Sequence, residues 1–179
     1  MKVAIFNGSP MRNDATSKMT SSIAEKIRAN GSDVKEYFLY FMNIKGCIDC
    51  GVNRPDDELK ELIDEFVSSD ITIFATPVYR WNISGALSTF IEELNAYCKF
   101  DEKLKGMVES RKIMLAMATE SEENVADDAI ASIRMFCDRL NIGYAGSFII
   151  PFADRDAVLS TECQERVADL VKKILQRSQ

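Results

Sequence analysis

Val3-Ala4-Ile5-Phe6-Asn7-Gly8-Ser9-Pro10 decides the fold. Four apolar residues run without interruption and turn polar at Asn7, which is too short for a membrane span or a secretory leader. A short apolar run closed by a Gly-Ser-Pro turn reads as a buried strand. Beyond the turn, Met19, Ile23 and Ile27 recur every four residues and Asn30-Gly31 supplies a stop, so the strand feeds a helix.

The same rhythm continues along the chain. Val34 to Leu39 reads as a second strand, and Leu59, Leu62, Ile63, Phe66 and Val67 form an amphipathic helical stripe. Ile71 to Ala75 is the third strand, and Ser84 caps a helix that carries Leu87, Phe90, Ile91 and Leu94. Ile113 to Ala118 is continuously apolar, as a strand covered on both faces should be. A helix is expected from about Ser121 to Leu140, and a fifth strand ends at Phe148-Ile149-Ile150. Thr161 and Gln164 are spaced as a capping box before Val167, Leu170, Val171 and Ile174. Five strands interleaved with five helices imply an α/β fold, a doubly wound parallel sheet with helices on both faces, in one domain spanning residues 1–179. Periodicity does not order the strands. The five-stranded doubly wound arrangement has order 2-1-3-4-5, and ligands sit at its switch point, outside the carboxyl ends of strands one and three.

Composition narrows the chemistry. The 179 residues carry a net charge of −6, which disfavours nucleic acid as a partner. No apolar run approaches membrane-span length, so the expectation is a cytoplasmic protein with no membrane contact. The chain has no histidine, which removes imidazole acid–base chemistry and His-ligated metals. Whatever chemistry occurs must be carried mainly by something other than a side chain.

The loop after the first strand continues as Met11-Arg12-Asn13-Asp14-Ala15-Thr16-Ser17. Gly8 permits an unusual turn, Ser9, Thr16 and Ser17 offer hydroxyls, and a helix start near Thr16 points free N–H groups into the loop. That set suits a phosphate dianion; equally, the hydroxyls could do no more than cap the helix. The Asp14 carboxylate would repel a phosphate and is expected to face solvent.

After the third strand comes Thr76-Pro77-Val78-Tyr79-Arg80-Trp81-Asn82-Ile83-Ser84-Gly85. Aromatic and apolar residues at the exposed end of a buried strand make a poor loop and a good wall for a flat ligand such as an isoalloxazine ring. Backbone groups from Val78 to Ile83 and the Asn82 amide could meet its edge, with Pro77 stiffening the turn. Tyr79 and Trp81 could instead cover a hydrophobic edge or a dimer contact. Arg80 could meet a nicotinamide phosphate or lie solvated at the surface.

Both loops, with Asp56-Asp57-Glu58-Leu59 and Leu87 to Glu92, resemble the NADPH-dependent FMN reductase family of flavodoxin-like proteins and its iron–sulfur flavoprotein relatives. The motifs extend through about residue 95, and beyond that only the strand–helix rhythm corresponds. The resemblance implies FMN as cofactor, with its phosphate at Ser9 and Thr16, and Met11, Arg12, Ala15 and Ser17 of the same loop are further cofactor-binding candidates. It implies ring contacts from Pro77, Val78, Tyr79, Arg80, Trp81, Asn82 and Ile83, and from a third loop, Thr119-Glu120-Ser121. It further implies NADPH or NADH as donor, a small acceptor such as a flavin or quinone, and a homodimer. A flavodoxin-type electron carrier without a nicotinamide site is the alternative. No catalytic side chain is assigned. Met11 stands where the family often has arginine, and Asp14-Ala15-Thr16 replaces a Gly-Asn-Thr-like triplet.

Cys47-Ile48-Asp49-Cys50 is a C-x-x-C, but Asn53 stands where a third cysteine would be spaced, and a cluster generally needs four thiolates. No metal is expected. The pair reads as a loop remnant near the cofactor or subunit contact, or as a redox dithiol. Cys98, Cys137 and Cys163 fall on separate helices and read as buried structural thiols.

Overall fold

The computed structural model describes residues 1–46, 58–109, 111–120, 125–151, 158 and 160–176. Strands β1 (Lys2–Asn7), β2 (Asp33–Phe38), β3 (Ile71–Pro77), β4 (Lys112–Thr119) and β5 (Gly143–Pro151) alternate with α1 (Ala15–Ala29), α2 (Leu59–Ser68), α3 (Gly85–Phe100), α4 (Glu102–Val108), α5 (Asp127–Arg139) and α6 (Thr161–Gln176). All strand pairs are parallel, and the sheet order is β2-β1-β3-β4-β5. This is the 2-1-3-4-5 order of the five-stranded doubly wound arrangement. No helix among the described residues is long and apolar enough to cross a membrane.

Local signals set the element ends. At the end of α1, Gly31 takes a φ of +76°; its N–H donates to Arg28 O and the Ser32 N–H to Ile27 O, a Schellman cap. Asn141 does the same for α5 at φ +54°, with the Ile142 N–H on Cys137 O. Two expectations need correction. A sixth helix, α4, lies between α3 and β4; Asp101 caps it by accepting from the N–H groups of Lys103 and Leu104. It buries only Leu104 and Val108, too few positions for a visible period. The capping box at Thr161 and Gln164 does not form. Ser160 Oγ accepts from the Cys163 N–H at 3.2 Å, while the Gln164 side chain reaches Val158 O and Ser22 Oγ. The start expected for α5 near Ser121 lies outside the described residues, and the helix is seen from Asp127.

Alternation along the strands builds two cores. Val3, Ile5, Ile71 and Ile73 face α1 and α6, meeting Met19, Ile23, Val167 and Ile174. Phe6 and Phe74 face the other side, where Phe66 of α2, Phe90 of α3 and Phe136 of α5 close around them. Phe6 stacks on Phe90 with ring centroids 4.7 Å apart and meets Phe74 edge-on at 6.1 Å. These fully buried rings hold α2 and α3 against the sheet, and truncating one should cost about 3–5 kcal/mol.

Glu65 on α2 is a buried carboxylate in this layer. Its carboxylate is 6% exposed and receives Lys2 Nζ at 2.8 Å, Lys35 Nζ at 3.1 Å and Tyr37 Oη at 3.1 Å. Burial pushes the carboxyl upward, but the two ammonium groups and the phenol outweigh it and hold Glu65 below the ordinary range. Tyr37 is pushed up to about 12, by burial and then by Glu65. A carboxyl lowered on folding contributes stability above its unfolded value and loses it as pH falls through the native one. Glu65→Gln should therefore cost about 1–3 kcal/mol near neutral pH. In urea denaturation curves taken at stepwise lower pH, its deficit relative to wild type should shrink below about pH 4.

Candidate functional site

The β1–β3 register brings the two candidate loops together. Asn7 pairs with Ala75, and the Gly8 N–H donates to Ala75 O at 2.8 Å. Gly8 is not in the left-handed region, contrary to the turn expected from its sequence. It is needed for space: a Cβ there would overlap Ser84 Oγ and lie 3.0 Å from Leu87 Cβ. The loop after β1 is thereby pressed against the start of α3.

Asn7 anchors that loop from inside. Its Nδ2 donates to Thr20 Oγ1 at 3.2 Å and Glu36 Oε1 at 3.0 Å, and its Oδ1 accepts from the Ser9 N–H at 2.9 Å. Thr20 Oγ1 donates to the same Glu36 oxygen. This network went unread in the sequence because its members come from β1, α1 and β2 and share no local spacing. Ser9 Oγ accepts from the Met11 N–H at 3.1 Å, and Ser17 Oγ donates to Met11 O at 2.6 Å.

Asp14 does not face solvent. It is buried as the N-cap of α1, accepting from the Ser17 N–H at 2.8 Å through Oδ1 and from the Ser9 hydroxyl at 2.5 Å through Oδ2. The helix start offers N–H groups and a positive dipole end, which draw a carboxylate inward more strongly than water holds it out. Ala15 and Thr16 are buried in the first turn. Thr16 Oγ1 has no partner among the described residues. Met11 is half exposed, and the Arg12 guanidinium lies over the rings of Phe38 and Phe41, 4.7 and 4.6 Å from their centroids.

The loop after β3 is a tight hairpin. Tyr79 and Asn82 exchange both backbone hydrogen bonds, at 3.0 and 3.1 Å. Arg80 and Trp81 between them take φ of +48° and +71°, the signature of a type I′ turn, which normally selects Asn-Gly. Two non-glycine residues in left-handed conformation store strain, and such strain clusters at functional sites. The hairpin lifts Tyr79 and Trp81 into solvent, 46% and 60% exposed. Its base is fixed: Val78 is buried with its N–H on Ala118 O, Asn82 Oδ1 accepts from the Ile83 N–H, and Thr76 Oγ1 accepts from the Ser84 N–H while donating to Pro77 O. Ser84 caps α3 as expected.

Thr119 is buried at the end of β4, in register with Pro151, and Glu120 is exposed beside it. Ser121, Cys47 and Cys50 lie outside the described residues. The Tyr79 phenol is pushed up, by burial first and then by the negative charge of Asp14 and by Tyr40. Cys98, Cys137 and Cys163 are buried free thiols; burial raises all three, Cys98 to about 11 and Cys137 to about 12, which leaves them inert. No cluster of metal-ligating side chains occurs among the described residues.

A polar, hydroxyl-rich turn at a helix start beside an aromatic hairpin, both at the switch point of a 2-1-3-4-5 sheet, defines a flavodoxin-like protein. The chain belongs to the NADPH-dependent FMN reductase family, whose model matches residues 1–153. That match runs well past the motifs that end near residue 95. An iron–sulfur flavoprotein of Archaeoglobus fulgidus is 29% identical over 181 residues, covering 94% of this chain and 80% of that protein. Among solved structures, an apo NADH:FMN oxidoreductase superposes with a TM-score of 0.76 at 16% identity, over 97% of this chain and 89% of that one. An FMN-dependent NADH-azoreductase of Bacillus anthracis in complex with FMN gives 0.74 at 13% identity, over 97% and 99%. These structural likenesses establish the fold.

The close approach at Gly8 is open to a double-mutant cycle. Gly8→Ala should destabilise the protein by about 1–3 kcal/mol. In a Ser84→Ala background the same change should cost measurably less, read as chemical-denaturation midpoints, because one of the two obstructing atoms is gone.

Proposed function

We propose that this chain is an FMN-dependent NAD(P)H oxidoreductase that passes electrons to a small acceptor such as a flavin or a quinone. The observation that carries the reading is the junction of the α1 turn and the Tyr79–Asn82 hairpin across Gly8. One side offers hydroxyl and N–H donors for a phosphate, the other exposed aromatic faces for a flat ring. The orphaned Thr16 hydroxyl fits a ligand at the helix start, since a buried donor is ordinarily satisfied.

When bound, FMN supplies the electron transfer between nicotinamide and acceptor, and the protein supplies binding, orientation and electrostatics. Ser9, Met11, Arg12, Ala15, Thr16 and Ser17 form the phosphate side. Pro77 to Ile83 would contact the ring, as would Thr119, Glu120 and Ser121 of the loop after β4. Negative charge on the ring's polar edge would be met by backbone N–H groups near Thr119 and at the hairpin tip, since those of Tyr79, Asn82 and Ile83 are taken within the hairpin, and the hairpin would set Tyr79 and Trp81 beside the ring. Arg80, exposed at the hairpin tip, would meet a nicotinamide phosphate. Met11, Tyr40, Phe41, Tyr79 and Trp81 are exposed apolar side chains near the carboxyl ends of β1, β2 and β3, and a second copy of the chain would cover them in a cytoplasmic homodimer.

Anaerobic addition of NADPH or NADH to the FMN-loaded protein should bleach the flavin band rapidly, as followed by stopped-flow absorbance. A band that stays oxidised would make the protein a flavodoxin-type carrier, a role its acidic charge would serve. The hairpin separates function from fold. Trp81→Gly relieves a left-handed residue, so its melting temperature should hold or rise, while flavin affinity falls by about tenfold through lost ring contact.

A further inference from the structure

The turn after β1 already holds an anion. Asp14 is 8% exposed, and its two carboxylate oxygens take the Ser17 N–H and the Ser9 hydroxyl. Ser9 has one proton to give. Its oxygen accepts from the Met11 N–H, and the Asp14 oxygen at 2.5 Å is a nearer and charged acceptor than Met11 O at 3.1 Å. The Ser17 hydroxyl is spent on Met11 O. Three of the donors that would cradle a phosphate are therefore committed within the chain.

What remains is specific. The N–H groups of Ala15 and Thr16 open α1 and have no intrahelical acceptor. Thr16 Oγ1, buried at 1% exposure in the same turn, has no partner among the described residues. Leaving a buried hydroxyl unpaired is costly, and an incoming acceptor removes that cost. The turn is thus half a phosphate site, with the other half filled by a carboxylate. Arg12, the cation of this segment, lies over Phe38 and Phe41.

We propose that Asp14 is a resident anion that competes with the phosphate of FMN. The chain then holds flavin as an exchangeable ligand and distinguishes FMN only weakly from riboflavin. This rests on the flavin reading of the site. Two like charges at one helix start repel, and the Ser9 hydroxyl and the Ser17 N–H reach a phosphate only if Asp14 releases them. Ring contacts come from the hairpin and are common to both flavins, so the headgroup alone decides the preference.

The test is titration of the full-length wild type, Asp14→Asn and Asp14→Ser with FMN, riboflavin and inorganic phosphate, followed by flavin fluorescence and by melting temperature. Asparagine and serine cap helices as well as aspartate, so α1 is retained in both variants. Wild type should bind FMN within about fivefold of riboflavin. Asp14→Asn and Asp14→Ser should bind FMN at least about tenfold tighter than wild type and riboflavin about equally. Inorganic phosphate should raise the melting temperature of the two variants more than that of wild type. FMN affinity unchanged or weakened in both variants would overturn the proposal while leaving the flavin site standing. Failure of all three proteins to bind either flavin would remove the flavin reading and the proposal with it.

Discussion

The hydrogen bond from the Gly8 N–H to Ala75 O, at a place where no side chain fits, is the contact on which the site depends. It extends the β1–β3 pairing one residue beyond Asn7 and presses the turn against Ser84 and Leu87 of α3. The α1 start and the β3 hairpin then sit on either side of one seam. Beneath it, Phe6, Phe74 and Phe90 pack ring against ring, so the same strands that present the loops also bury the aromatic core. Rigidity below and open loops above is the arrangement expected of a binding site set on a scaffold.

Away from the seam the chain follows local rules closely. Schellman caps close α1 and α5, Ser84 opens α3, and strand residues alternate between two cores. The seam carries a carboxylate buried at a helix start, an orphaned threonine hydroxyl, and two adjacent non-glycine residues at positive φ. The aspartate is a good helix cap, but two adjacent left-handed non-glycine residues are costly in an ordinary turn, and that strain is the physical argument for function there.

Asp14 and Gly8 show where reading along the chain stops short. Asp14 looked repulsive to a phosphate and was therefore expected in solvent. Three positions of helix geometry bring the Ser17 N–H under its carboxylate, and the Ser9 hydroxyl, five residues back, completes the pair. Gly8 looked like a conformational requirement and is a steric one, because Ser84 lies 76 residues away in the chain and meets it only once β1 and β3 pair.

The sequence by itself determined the alternation of strands and helices, hence a parallel sheet covered on both faces, because hydrophobic period and turn residues act over a few positions. It also marked both candidate loops, since glycine, hydroxyl and aromatic residues at strand ends are poor choices for an ordinary turn. Only the tertiary structure decided the strand order, the Asn7–Thr20–Glu36 network, the inward turn of Asp14 and the type I′ strain at Arg80 and Trp81. Most of those depend on groups far apart in the chain meeting at close range, and the strain at Arg80 and Trp81 on a hairpin seated at the end of β3. The Asn7-Gly8-Ser9-Pro10 turn was legible as an anion site, and the fold put an anion of the chain's own inside it.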